Sequence, residues 1–165
     1  MTAARHKRKR YWAVLASCAG SLLLSAGFGS SRAALTETIV VDWHTGLAIS
    51  GYDPVAYFTD GKQISGSADF ELRYGGVVWR FSNSGNRAAF AADPDVYTPK
   101  FGGYDPLGVA SGVAVAGKPD VWLISGERLF LFYDRSRLEK FAADPDRFFA
   151  EAERRWPDVL QTLSP

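Results

Sequence analysis

The chain has 165 residues, 19 Lys+Arg against 18 Asp+Glu, and one cysteine, Cys18. That length gives a single small domain, and a lone cysteine excludes an intramolecular disulfide framework. The near-neutral total conceals an uneven distribution: six Lys+Arg and no Asp+Glu precede residue 34, so the remainder carries a net charge of −5 and no nucleic-acid partner is expected, since such a partner calls for a strongly basic surface.

The first predicted element is an address. Arg5, His6, Lys7, Arg8, Lys9 and Arg10 form a cationic start, followed by an apolar stretch from Tyr11 to about Phe28. That order is the signature of a secretory signal. Ser17, Gly20, Ser21 and Ser25 dilute the stretch below what a permanent span of roughly 20 residues calls for. Ser31-Arg32-Ala33 supplies small residues for cleavage after Ala33, which assigns 1–33 to a general secretory signal and 34–165 to a periplasmic or secreted domain. An uncleaved anchor is the alternative, and its positive flank turns the domain outward as well. Leu15-Ala16-Ser17-Cys18 loosely imitates a lipoprotein cleavage site, but the apolar run continues past it through Leu24. Cleavage after Ala33 removes Cys18 and leaves no thiolate nucleophile or ligand.

A short strand is predicted at Ile39–Val41. Further on, Phe70, Leu72 and Tyr74 alternate with Glu71 and Arg73, Gly75-Gly76 turns the chain, and Val77–Phe81 returns as a hairpin partner. A helix from Asn83 or Ser84 passes through Phe90 to Asp93-Pro94. The same order recurs 51 residues later. Between Asp69–Tyr97 and Asp120–Phe148, ten of 29 positions are identical, including Phe-Ala-Ala-Asp-Pro-Asp in both copies, which marks a duplicated unit. In the second copy Val121–Ile124 and Leu129–Phe132 are apolar throughout, predicting burial on both faces and a more central hairpin. Ser136 and Glu139 form a capping box that predicts the following helix. Asp144-Pro145 then starts a last helix, carrying Phe148, Phe149, Ala152 and Trp156 inward and ending at Trp156-Pro157. With Trp43, Trp79, Trp122 and Trp156, a densely aromatic core is expected.

The expected fold is therefore α+β: one small domain of two repeated strand-strand-helix units on a mostly antiparallel sheet, plus a C-terminal helix. Two segments stand outside the repeat, Ile49–Phe58 and Lys100–Pro119. Function is expected there, because loops on a rigid scaffold commonly carry it.

Gly51-Tyr52-Asp53-Pro54-Val55-Ala56-Tyr57-Phe58, Gly61-Lys62, Gly66, Tyr74-Gly75-Gly76, Trp79, Phe81, Asn86, Phe90, Pro94, Tyr97, Pro99 and Phe101-Gly102-Gly103-Tyr104 form one ordered pattern. It continues through Ala110-Ser111-Gly112, Pro119, Trp122, Gly126, Leu129 and Trp156-Pro157. The pattern resembles the YHS domain family, in particular its exported bacterial members, over most of residues 49–157. The resemblance implies a small α+β domain and a suspected role in metal handling, which leans on a cysteine in the family motif F-G-G-Y-C-A. Here that motif reads Phe101-Gly102-Gly103-Tyr104-Asp105-Pro106. A carboxylate is a hard ligand where a thiolate is soft, so thiolate metallochemistry does not carry over.

What remains is a candidate oxygen and nitrogen site of Asp105 and Asp53, helped by Tyr104 or His44, with Tyr52 as a further candidate, for a metal ion or small ligand. Each has a plainer reading: Asp53-Pro54 and Asp105-Pro106 as turns whose carboxylates bond nearby amides, and His44 as a surface residue. No catalytic residue or cofactor-binding motif is recognised, since a nucleophile elbow, a phosphate loop and a second mature histidine are all missing from the sequence. The expectation is a non-catalytic exported binding protein of YHS type. The rivals are a carboxylate-dependent enzyme, which brings Asp53 and Asp105 together, and an interaction module that has lost the ancestral site.

Overall fold

Strict alternation of apolar and charged residues makes Ser67–Tyr74 (β1) a half-buried strand, and Val77–Phe81 (β2) pairs with it in antiparallel register. Gly75 and Gly76 both take positive φ in the two-residue turn between them, as a tight right-twisted hairpin requires. Lys118–Ser125 (β3) and Arg128–Phe132 (β4) repeat the arrangement, down to the same register shift near the start of the first strand. A computed structural model of the protein describes residues 37–163; the segment 1–33 expected to be a signal, with Cys18 and the cleavage expected after Ala33, lies outside the described residues.

The architecture is α+β in one small domain. A short 3₁₀ turn at Ile49–Gly51 and helix Ala56–Thr59 (α1) precede the first hairpin, with Ser84–Ala92 (α2) and Pro94–Tyr97 (α3) after it. A second 3₁₀ turn at Lys100–Gly103 and helix Pro106–Ala110 (α4) precede the second hairpin, followed by Arg135–Ala143 (α5) and Pro145–Leu163 (α6). The hairpins are two separate two-stranded sheets rather than one shared sheet. The physical reason lies at the edge of β2, where Leu47 bridges Val78 in parallel and the Ala48 amide donates to the Val78 carbonyl at 2.9 Å.

The strand expected at Ile39–Val41 is reduced to an isolated bridge, Val41 to Ala48. It threads between the repeats: the Val40 amide donates to Gly102 O (2.8 Å) and its carbonyl accepts from Ile49 N (3.1 Å). Burial on both faces is found in β4. Leu129 and Leu131 pack into the core of Ile49, Tyr57, Trp79, Phe81 and Phe90, while Phe130 and Phe132 join Phe101, Phe141 and Phe148 in a second core. Trp79 is fully buried as expected, but Trp43 is 83% exposed and belongs to neither core.

Two helix boundaries differ from the sequence reading. Helix α5 is capped by Asp134, whose carboxylate accepts from the Arg137 amide at 2.9 Å, so the cap lies two residues before Ser136. Asn83 does the same for α2. Helix α6 runs through Pro157 to Leu163. A proline inside a helix costs roughly 3 kcal/mol, yet both sides of it are anchored. Trp156 lies against the rings of Phe101 (5.6 Å) and Tyr104 (6.0 Å), and Val159 beyond the proline is buried.

The turn of the second hairpin departs from the first in one residue. Glu127 stands where Gly76 stands and keeps a positive φ of 59°. A side chain in that region is strained, so Glu127→Gly is expected to raise stability by about 1 kcal/mol, read as a higher urea midpoint with an unchanged slope.

Candidate functional site

Asp53 and Asp105 are both fully buried, a costly place for a carboxylate unless its oxygens are fully bonded. Asp53 Oδ1 accepts from the amides of Val55 (2.9 Å) and Ala56 (3.3 Å) at the start of α1. Its Oδ2 accepts from the Ser82 amide (2.8 Å), the Ser82 hydroxyl (2.7 Å) and Asn86 Nδ2 (2.7 Å). Asp105 Oδ1 accepts from the amides of Leu107 (2.8 Å) and Gly108 (3.0 Å), capping α4, and from Arg137 Nη1 at 3.3 Å. Its Oδ2 accepts from the Tyr133 amide at 2.9 Å.

These are the same construction made twice. Ser82 and Tyr133 are 51 residues apart, as are Asn86 and Arg137, so each carboxylate ties the helix that follows it to the end of its own hairpin. The duplication therefore begins earlier than the offset of 51 indicates. Gly51-Tyr52-Asp53-Pro54 matches Gly103-Tyr104-Asp105-Pro106 at an offset of 52, and a one-residue difference in the loop before Ile64 and Val115 restores the later register. Backbone bonds confirm the correspondence. Asp53 N donates to Ile64 O and Asp105 N to Val115 O, while the hydroxyls of Thr59 and Ser111 donate to Val55 O and Leu107 O. The segments taken as lying outside the repeat are its opening portion, and the repeated Gly-Tyr-Asp-Pro was the sequence signal for it.

The four proposed ligands are consequently not brought to one point. Asp53 and Asp105 share no partner and bond within different repeats. Tyr104 donates its hydroxyl to the Glu37 carbonyl (2.9 Å), and burial, with the nearby Glu37 charge, raises its pKa above the usual phenol value. His44 lies in an exposed turn organised by Asp42, whose Oδ1 accepts from the His44 and Thr45 amides. Among the described residues no group of three or more His, Cys, Asp or Glu is placed to hold a metal ion. Tyr57, another member of the motif, spans the repeats by donating to Pro119 O (2.9 Å) and meeting Trp122 edge-on at 5.1 Å. Burial foremost, then the charges of Tyr52, Asp120 and Asp53, raises the Tyr57 pKa beyond the normal phenol range.

The repeats differ on the outside of the latches. Beside Asp105, between α4, α5 and α6, lies an open cavity of about 380 Å³. Its walls are Leu107, Ala110 and Phe148, with Arg137, Lys140 and Arg147 around them. No histidine, serine pair or exposed carboxylate dyad accompanies these cations; Glu151 is bonded to Arg147 at 3.1 Å. Ser111 also lines the cavity, its hydroxyl donating to the Leu107 carbonyl at 2.9 Å, so the walls present mainly cations to a ligand. Sequence reading missed this cavity because its residues come from three separate helices, and Ala110-Ser111, although part of the ordered pattern, carries no chemistry that marks a site. Comparison of the chain with family models, curated proteins and solved structures finds no match.

Proposed function

We propose that the chain is an exported, non-catalytic binding protein of YHS type, and that its ligand is a small organic molecule rather than a metal ion. One observation supports this most: Asp53 and Asp105 are consumed as buried fold latches, while a cavity of about 380 Å³ opens beside the second latch. Small-molecule sites commonly are concavities of about 300–1,000 Å³, and on the walls of this one charged side chains outnumber apolar ones. A metal would have to displace five donors from Asp53, or three amides and Arg137 from Asp105. Replacement of the family cysteine by Asp105 fits the same reading, since the carboxylate now serves the backbone.

The test is recovery of the protein from outside the cytoplasm, followed by intact mass, metal analysis and native mass spectrometry. The expected result is a chain beginning at Ala34, metal well below one equivalent, and a non-covalent small-molecule adduct or stabilisation by members of a metabolite library. One equivalent of metal surviving dialysis, or a chain retained in the cytoplasm, would overturn the reading.

A further inference from the structure

The duplication provides an internal reference for the cavity. Because Val55 and Leu107, and Thr59 and Ser111, make corresponding bonds, Phe58 corresponds to Ala110. In the first repeat the Phe58 ring meets the Tyr97 ring edge-on at 5.5 Å. Phe148 is the counterpart of Tyr97, and at the position of Phe58 the second repeat has Ala110; both line the cavity. A methyl group in place of a ring leaves room at this position, and the long helix α6, which the four-residue α3 does not match, supplies Arg147, Phe148 and Glu151 to the walls.

The charges change at the same place. Asn86, Ala89 and Val96 of the first repeat become Arg137, Lys140 and Arg147 in the second. Lys140 Nζ and the Arg147 guanidinium lie 5.8 and 4.8 Å from the Phe148 ring centre. Arg137 is held by the Asp105 latch yet its side chain remains 36% exposed. Arg147 spends its Nε on Glu151, and among the described residues Lys140 makes no ion pair. Arg154 and Arg155 flank an adjoining cavity that shares Ala110 and Glu151, so five of the 13 basic residues after position 33 gather here on a domain of net charge −5. A wall of Leu107, Ala110 and Phe148 beside clustered guanidinium and ammonium groups matches an apolar body with an anionic head.

We propose that the second repeat carries a binding site for a small organic anion, a carboxylate or phosphate monoester on a compact apolar body. The body occupies the space that Phe58 fills in the first repeat, and Arg137 and Lys140 receive the head. This rests on the binding-protein reading above and names its ligand class.

The test writes first-repeat residues into the second: Ala110→Phe for the space, Lys140→Ala and Arg137→Asn for the charge. Each is a residue the protein already uses at the matching position; an unchanged thermal midpoint verifies folding of Lys140→Ala, and an undisturbed amide NMR spectrum away from the site does so for Ala110→Phe and for Arg137→Asn, which gives up the bond to buried Asp105. Phenyl phosphate and benzoate are titrated by calorimetry and amide NMR, with inorganic phosphate, benzylamine and phosphatidylglycerol vesicles alongside. Saturable phenyl phosphate or benzoate binding is expected, with shifts at Ala110 and Lys140, at least tenfold weaker in Ala110→Phe and several-fold weaker in Lys140→Ala and Arg137→Asn. Inorganic phosphate should bind far more weakly and benzylamine not at all. Binding that Ala110→Phe leaves unchanged would overturn the site. So would vesicle binding without phenyl phosphate or benzoate binding, which assigns the cations to a membrane surface. If both probes fail while the isolated protein carries another organic adduct, the anion site falls and the binding-protein reading stands; failure of both removes both.

Discussion

Asp53→Ala is expected to cost about 3–5 kcal/mol, a large part of the stability of a domain this size. The substitution leaves the amides of Val55, Ala56 and Ser82 and the side chain of Asn86 facing a cavity with no acceptor, at a position with no exposure to water. Asp53→Asn is the sharper control. Its amide oxygen can still serve Val55 and Ala56, but its NH₂ then points at the Ser82 amide, a donor facing a donor. A loss of about 2–3 kcal/mol is expected there, measured by urea unfolding. A loss below 1 kcal/mol in both variants would mean that the carboxylate is not the latch.

Asp105→Ala should behave alike, with a somewhat smaller loss because the freed Arg137 is part-exposed and can turn to solvent. The double variant separates two ideas. Two latches in different repeats, with no common partner, predict losses that add to within about 0.5 kcal/mol. A shared carboxylate site predicts strong coupling, because removing either member already relieves repulsion in the other. Additivity is the expected outcome.

Much of the fold was legible because local chemistry and tertiary position agree. The alternation in β1, the glycine pair in its turn, the repeated Phe-Ala-Ala-Asp-Pro-Asp and the double-sided burial of Leu129–Phe132 each follow from side-chain periodicity. The cap of α5 was misplaced because Ser136 and Glu139 fit a capping pattern, whereas Asp134, matching Asn83 in the first repeat, is the residue with extended backbone ahead of the helix. The end of α6 was misplaced because a proline was weighed by propensity alone, while Trp156 and Val159 are held by the core. The candidate site was legible only in part. Asp53 and Asp105 were legible as turn carboxylates bonded to nearby amides, but their burial and the bonds that define their role come from Ser82, Asn86, Tyr133 and Arg137, about thirty residues away. The cavity depends on a comparison of Phe58 with Ala110 that a fixed offset of 51 conceals.

Gly117→Ala is expected to be strongly damaging for a single added methyl, at about 3 kcal/mol or more. A Cβ there would stand 2.6 Å from Leu131 Cβ and 2.7 Å from both Gly103 O and the Leu131 carbonyl carbon, and two of these are backbone atoms. Leu131 is fully buried on β4, the strand that serves both cores, so yielding on one side disturbs packing on the other. The Gly117 amide also donates to Gly103 O at 3.0 Å, joining the second hairpin to the turn before Asp105. Gly66 repeats the closeness in the first copy, where an added Cβ would meet Arg80 Cβ. Gly112→Ala supplies the comparison, since Gly112 has a φ of +78° but open space around it, and strain alone should cost about 1–2 kcal/mol. Thermal unfolding should therefore rank Gly117→Ala well below Gly112→Ala. Equal losses would show that β4 can move aside, and the Asp105 latch would then be holding a turn against a strand that is not fixed.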